Sequence, residues 1–140
     1  MNRIRILFAL LLLPFAGCNN TGKSGLSTDI IQNGKTPKLT FSEMEHDFGI
    51  INEGEVVSYT FDFTNTGDGD LIISDAHAQC SCTVPDWPKD IIKSGGKGSI
   101  SVKFDSTGKF GLITKVVTIV ANTNPNTTKI QIKANIHKTS

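Results

Sequence analysis

Apolar and polar residues alternate with a period of two along several stretches of the chain beyond residue 38. One stretch, EVVSYTFDFTN, places four apolar side chains on the same face: Val57, Tyr59, Phe61 and Phe63. The stretches GSISVKFDS and KIQIKANIHK repeat this alternation, whereas LITKVVTIVAN is apolar on both faces. Strict alternation is typical of antiparallel strands with one buried face, and a run that is apolar on both faces indicates a more central strand.

Turn-forming residues separate these stretches in the segments NTGDGD, KSGGKG, STGKFG and NTNPN. Residues 65–67 fit a turn in which Gly67 adopts left-handed backbone angles. Gly49 and Gly54 fit positions where the chain turns or where another segment approaches closely. About seven short strands after residue 38 predict an all-β fold, a single immunoglobulin-like antiparallel β-sandwich that spans residues 39–140.

The first eighteen residues have the layout of a secretory signal. Two arginines precede an apolar run at residues 6–15, which is too short to cross a bilayer as a permanent helix. The small residues Ala16 and Gly17 then lead into Cys18, an order that resembles a bacterial lipobox. We therefore expect residues 1–17 to be a lipoprotein signal peptide and Cys18 to be acylated, for example with palmitate. The alternative is an ordinary signal peptide followed by a chance cysteine.

Residues 18–38 are rich in Asn, Thr, Gly, Ser and Lys and predict a flexible tether with a reach of roughly 25 Å. Removal of residues 1–17 leaves 123 residues with 12 Lys+Arg and 13 Asp+Glu, so the formal charge changes from +1 to −1. Neither value favours a nucleic-acid partner, because there is no basic stripe. The acyl chains would hold the protein on a bacterial membrane, and the lack of an acidic cluster just after Cys18 favours a periplasmic location.

Five motifs between His46 and Asn122 resemble one known family: HDFGIINEGE, FDFTNTG, CSCT, GGKGSISVKF and TGKFG. Together they are similar to the bacterial lipoproteins catalogued as domain of unknown function 1573. That family usually has Gly where this chain has Ser81, and Pro-Gly where this chain has Ser94-Gly95. The resemblance implies a relationship to the immunoglobulin-like domains of abnormal-spindle, SPD and hydin proteins. It supports the sandwich fold and implies no activity.

Cys80 and Cys82 are one residue apart in AHAQCSCTVPDWPK. In an extended strand their Cα atoms would be about 6.6 Å apart, near the upper limit for a disulfide, and a kink at Ser81 would shorten that distance. An oxidising compartment favours the disulfide. A ring of three residues would stabilise the fold by at most about 1.6 kcal/mol.

Three other interpretations of Cys80 and Cys82 remain open. The pair could bind Cu(I) or Zn, with His77 or His46 completing the ligand set. It could exchange thiols and disulfides, which needs a thiolate-stabilising neighbour such as a helix N-terminus. The two cysteines could also be reduced and serve only in packing.

Trp87 follows Pro85 and precedes Pro88. It is predicted to lie in a rigid loop that covers one end of the core, and the alternative is an exposed aromatic contact for a partner. The segment Asp-Ser-Thr at residues 105–107 resembles a short bacterial O-glycan acceptor motif, with Ser106 or its neighbour modified. The alternative there is a simple turn.

The sequence contains no recognisable acid–base pair, Ser/His/Asp constellation, P-loop or dinucleotide motif. We therefore expect a non-enzymatic, lipid-anchored module that needs no cofactor. Its partners would be the membrane, through the lipid, and an unidentified envelope protein or glycan. The alternative is a periplasmic soft-metal-binding or thiol-redox protein that acts through Cys80 and Cys82.

Overall fold

The structure of the chain is a computed structural model that describes residues 34–138. Within that range the chain forms eight β-strands and no helix. The strands are β1 (Leu39–Phe41), β2 (Glu45–Asn52), β3 (Val56–Asn65), β4 (Ile73–Ala78), β5 (Thr83–Asp86), β6 (Lys97–Asp105), β7 (Gly111–Ala121) and β8 (Thr127–His137). The four patterned stretches of the sequence correspond to β3, β6, β7 and β8.

Two four-stranded sheets pack against each other. One has the strand order β1-β3-β6-β5 and the other β2-β8-β7-β4. Neighbouring strands are antiparallel except for β2, which runs parallel to β8. The predicted all-β, immunoglobulin-like sandwich is confirmed, with eight strands rather than about seven. The parallel pair arises because the chain leaves the first sheet at Phe41 and joins the second sheet at Glu45.

The alternation of the sequence separates core from surface as predicted. Phe61 and Phe63 of β3 are fully buried, and Val57 and Tyr59 near the start of that strand are half-buried. The inward residues of β6 and β8 are buried as well: Ile100, Val102, Phe104, Ile130, Ile132, Ala134 and Ile136. Removal of these side chains from water, at about 25 cal/mol per Å² of apolar surface, drives the two sheets together.

The prediction that LITKVVTIVAN forms a central strand is confirmed, since β7 lies between β8 and β4. Its inward residues Val117 and Ile119 are fully buried, and Val116 and Val120 on the other face are half-buried. Leu112 at the start of the strand is 87% exposed. The two-sided apolar run therefore includes one large side chain that the fold leaves in water.

One end of the sandwich is closed by hydrogen bonds around Asn65, which is fully buried. Its side-chain amide donates to the carbonyl oxygens of Gly69 at 2.7 Å and Ile92 at 3.0 Å. Its Oδ1 atom accepts from the backbone amides of Lys38 at 3.2 Å and Gly67 at 3.1 Å. This end, named the tether end below, consists of residues 34–38, 65–69 and 122–126.

The prediction that Gly67 needs left-handed backbone angles is wrong. Positive φ angles occur at other glycines, among them Gly49 at 69° and Gly54 at 84°. A Cβ atom at Gly67 would instead collide with the backbone of residues 36–38, so glycine is required there for a close approach between two segments.

Residues 34–38, which we assigned to the tether, are bound to the domain. The Thr36 amide, for example, donates to Asp68 Oδ1 at 2.7 Å. The predicted signal peptide at residues 1–17 and the predicted lipidation at Cys18 lie outside the described residues. In the part of the chain that the structure describes, no helix is long and apolar enough to cross a membrane.

Candidate functional site

Three loops meet at the end of the sandwich opposite the tether end. They are named the loop end here and consist of residues 52–55, 79–82 and 106–110. The Asp105 amide donates to the Cys82 carbonyl at 2.9 Å, and the Ser106 amide donates to the Glu55 carbonyl at 3.0 Å. The loop between β6 and β7 therefore fixes the positions of the other two.

Ser106 lies at the centre of this junction and is fully buried. Its hydroxyl is 2.9 Å from the Asn52 carbonyl and 2.8 Å from the Glu55 carbonyl, to which it donates. A hydroxyl in this position is inaccessible in the folded domain, so the O-glycan prediction at Ser106 is wrong. The Thr107 hydroxyl and amide donate to Asp105 Oδ1 and lower the pKa of that carboxyl. The Asp-Ser-Thr segment is thus a turn.

Cys80 and Cys82 lie half-buried in the 79–82 loop, and their sulfur atoms are joined in the structure. Their Cα atoms are 5.3 Å apart, closer than in an extended strand, because the chain bends at Ser81. The Cys82 side chain packs against the core. The Thr83 hydroxyl is 3.8 Å from one sulfur and 3.9 Å from the other. This geometry suits a disulfide, and oxidation of the pair in the cell stays a prediction.

The two histidines considered as metal ligands are engaged elsewhere. His77 is exposed on β4, and its Nδ1 atom is 2.7 Å from Asp75 Oδ2. His46 is on β2, at the other edge of the same sheet, where its ring stacks on Tyr59. Among residues 34–138 no three His, Cys, Asp or Glu side chains form a group that could hold a metal ion. The described residues therefore provide no third ligand for a metal ion at Cys80 and Cys82.

Trp87 follows β5 and is half-buried, with its ring packed against the core. The Lys89 Nζ atom lies 2.9 Å from the centroid of that ring and covers it from the solvent side, a cation–π contact. Its indole Nε1 is buried without a hydrogen-bond partner among the described residues. This placement favours the packing role of Trp87 over the partner-contact role.

An apolar cluster on the outer face of the second sheet was not predicted from the sequence. Ile50 of β2 and Leu112 of β7 both pair in register with Asn135 of β8, so the three lie in one row. Ile50 is 69% exposed, and Phe110, just before β7, is 75% exposed. We define the apolar cluster as Ile50 and Leu112. A groove of about 350 Å³ lies between Ile50 and Leu112, above Asn135.

Charged side chains border the groove. In the next row across the sheet, Asp47 pairs in register with Lys133. The Lys133 ammonium donates to Glu45 Oε1 at 2.6 Å, and the Gln131 side-chain amide also donates to Glu45; these bonds lower the pKa of the Glu45 carboxyl. The apolar cluster is thus set beside charges that are already paired. The stretch LITKVVTIVAN, which is apolar on both faces and contains Leu112, was the sequence signal for it.

A protein-family model matches residues 39–136 of the chain, and its description is protein of unknown function, DUF1573. The chain belongs to the DUF1573 family. The match confirms the resemblance drawn from the five motifs; it covers the sandwich and does not reach Cys18. No curated protein matches this DUF1573 chain in sequence.

Several solved structures share the fold of this DUF1573 chain at low sequence identity. A protein of unknown function from Porphyromonas gingivalis W83 has a TM-score of 0.60 at 20% identity, covering 72% of this chain and 46% of that one. The ASH/PapD-like domain 7 of human CEP192 has a TM-score of 0.57 at 14% identity, covering 84% and 97%. The secreted serine protease VesC from Vibrio cholerae has a TM-score of 0.56 at 12% identity, covering 70% and 23%.

At these identities the likeness shows the fold alone. The human domain thus shares the fold that the resemblance to abnormal-spindle-type domains implied. The DUF1573 chain spans under half of the Porphyromonas gingivalis chain and about a quarter of VesC, so nothing about the activity of either protein follows for it.

Proposed function

We propose that this DUF1573 chain is a lipid-anchored domain of the cell envelope that binds a protein partner and catalyses no reaction. The apolar cluster is the observation that supports binding. Its two side chains are 69% and 87% exposed and line one groove, and contiguous exposed apolar surface marks contact sites on protein domains. A protein partner fits better than a glycan, because an aliphatic or aromatic side chain could fill the groove between Ile50 and Leu112.

The position of the apolar cluster in the fold also supports this proposal. The described chain enters at the tether end, whereas Leu112 lies near the loop end. The eight-residue step from Leu112 to Val120 along β7 corresponds to about 27 Å. With Cys18 acylated, the tether would hold one end of the sandwich towards the membrane and leave the apolar cluster facing away from it.

Site-specific photo-crosslinking in intact cells tests the binding proposal. A photoreactive amino acid at position 112 should give a discrete product with one protein, and Ile50→Asp should remove that product. Lys129 is a matched control position, because it is exposed on β8 towards the tether end. Equal crosslinking from positions 112 and 129, or a product that consists of glycan, would refute the proposed contact.

Cell fractionation tests the anchor separately. We expect Cys18→Ala to move the protein from the membrane fraction to the soluble fraction and to abolish incorporation of labelled palmitate. If the variant remains in the membrane fraction, the lipid anchor is wrong, while the crosslinking result at position 112 still decides the binding proposal.

We do not adopt the metal or thiol-redox function for Cys80 and Cys82. A redox role requires a group that stabilises a thiolate. The neighbour of both sulfurs in the structure is the neutral Thr83 hydroxyl, which supplies no positive charge.

A further inference from the structure

Strand β3 has a partly open edge. It is ten residues long, but β1 pairs with it only from Phe63 to Asn65. The last hydrogen bond on this side runs from the Ser42 amide to the Asp62 carbonyl at 2.9 Å. Between Val56 and Phe61, β3 pairs with β6 on one side and with no described strand on the other.

The direction of the backbone groups on this edge follows from that last hydrogen bond. The Asp62 carbonyl points to the β1 side, and alternate residues of a strand direct their backbone groups to the same side. The N–H and C=O groups of Ser58 and Thr60 therefore point outward from the sheet edge. Both residues are exposed. Each edge residue thus offers one donor and one acceptor to an incoming strand.

The open edge is not an opening into the core. The His46 ring lies 3.5 Å from the Tyr59 ring, centroid to centroid, with only 5° between the planes. The Phe48 ring packs edge-on against His46 at 4.8 Å. These side chains close the sandwich between β2 and β3 behind the edge. A strand added at Ser58 and Thr60 would therefore extend a finished sheet and would not replace a core element.

Acidic groups outnumber basic ones in the half of the chain that forms the edge. Residues 39–88 contain ten Asp and Glu and no Lys or Arg, whereas residues 89–138 contain nine Lys and two Asp. The Glu43 and Asp62 carboxyls both act on Tyr59, at the middle of the edge, and raise the pKa of its phenol, Glu43 through a hydrogen bond. The cation nearest in register is Lys103, opposite Ser58 on β6.

We propose that the edge of β3 at Ser58 and Thr60 binds an extended, Lys- or Arg-bearing segment of another protein, which adds to the sheet as a further strand. Main-chain hydrogen bonds would provide affinity. The carboxylates of Glu43 and Asp62 beside the edge would select positive side chains and speed association. This site is separate from the apolar cluster, which lies on the outer face of the other sheet.

A second copy of this chain fits the edge less well. Pairing of two β3 edges would bring the carboxylates of both copies together, and like charges across a pair of strands are destabilising. Acidic side chains at an open edge are also a known means of preventing such self-association. The observations thus favour a basic strand from a different protein.

Three synthetic ten-residue peptides test the proposal with the purified chain and NMR. The first alternates Lys and Val, the second replaces Lys by Glu, and the third replaces Val by Pro, which keeps the charge but cannot form a strand ladder. We expect the Lys-Val peptide to slow amide exchange at Ser58 and Thr60. Loss of about two backbone hydrogen bonds, roughly 1.4 kcal/mol, should weaken the Lys-Pro peptide about tenfold.

Two variants of the chain complete the test. Thr60→Pro removes an amide that points away from β6, and edge positions tolerate proline. Because one hydrogen bond is lost, it should weaken binding of the Lys-Val peptide about threefold, whereas Thr60→Val keeps the amide and should bind normally. If Thr60→Pro fails to fold, the comparison of the Lys-Val and Lys-Pro peptides on the unchanged protein still decides.

Three results would overturn the proposal. One is equal affinity for all three peptides or for the Lys and Glu versions. Another is binding that leaves exchange at Ser58 and Thr60 unchanged. The third is slow exchange at both amides in the peptide-free protein, which would mean that another strand already occupies the edge. Sedimentation would then show whether that strand comes from a second copy, which gives a dimer, or from residues 1–33 of the same chain, which gives a monomer.

Discussion

The two ends of the sandwich are closed by different chemistry. At the tether end, one buried side chain, Asn65, makes four hydrogen bonds to backbone groups, two in its own turn and one in each of two other segments. At the loop end, the junction consists mainly of backbone amides and the single hydroxyl of Ser106. Beside that junction, Phe110 and Leu112 remain in water.

This difference indicates that the tether end stabilises the fold and that the loop end serves contact with another molecule. A buried amide with all its hydrogen bonds made is costly to lose, because each group left without a partner carries its desolvation penalty. The tether end is therefore built for stability. The apolar side chains near the loop end contribute little to the fold, so their exposure is better explained by contact with another molecule.

The largest expected effect is at Asn65. Asn65→Ala leaves three backbone groups without partners, since only the Ile92 carbonyl keeps a second donor, the Leu71 amide. We expect it to lower the free energy of unfolding by about 3 kcal/mol or more. Urea denaturation measures this loss. Asn122→Ala is the matched control: its half-buried side chain makes two comparable hydrogen bonds, to Ile72 and Asp70, so it should cost less. Equal losses for both variants would contradict the special role of Asn65.

Ser106→Ala is expected to have a smaller effect at the opposite end. The hydroxyl donates to two carbonyls, each of which also accepts from a backbone amide, so the expected loss is about 1–2 kcal/mol. Thr107→Ala, on the exposed side of the same turn, should stay within about 0.5 kcal/mol. If Ser106→Ala lowered the free energy of unfolding as much as Asn65→Ala does, the two ends would not differ in their contribution to stability.

The disulfide between Cys80 and Cys82 should contribute still less to the free energy of unfolding. Intact mass without reductant should show a deficit of two hydrogens, and reduction should allow two alkylations. Replacing both Cys80 and Cys82 by serine should lower stability by no more than about 1.6 kcal/mol, because the ring closes only three residues. Crosslinking from position 112 should persist in the double variant. Its loss would assign the binding role to the cysteine loop.

The smallest effect concerns Asp105 and pH. Hydrogen bonds from Thr107 lower the pKa of this carboxyl in the folded state, so the unfolded state binds its proton more readily. The stabilising contribution is present above the ordinary carboxyl pKa and is lost as pH falls through the lowered folded pKa. NMR titration should show the Asp105 pKa rising towards its ordinary value in Thr107→Ala. Thr107→Ser, which keeps the hydroxyl, should retain most of the depression.

Local alternation was sufficient to predict the strands whose one face is buried. Except for Asn65, the buried residues of β3, β6 and β8 are apolar, and the outward residues are largely polar, so the sequence carries the burial pattern directly. The parallel pairing of β2 with β8 could not be predicted in this way, because it depends on where the chain changes sheets, between Phe41 and Glu45.

The candidate sites depended on contacts between distant segments. Ser106 is buried by carbonyls of Asn52 and Glu55, more than fifty residues away, which the local motif does not reveal. Leu112 belongs to a run that is apolar on both faces, and such a run does not distinguish the covered residues from the exposed one. Gly67 was placed in a turn correctly, but the steric reason for it lies in residues 36–38.

The parallel pairing of β2 and β8 has a mechanical consequence. Strands β1 and β2 both run from the tether end towards the loop end, and each belongs to a different sheet. Tension between an anchored N-terminus and a partner held near Leu112 would therefore act along these strands. It would load their inter-strand hydrogen bonds simultaneously in shear, in both sheets, instead of peeling them apart singly.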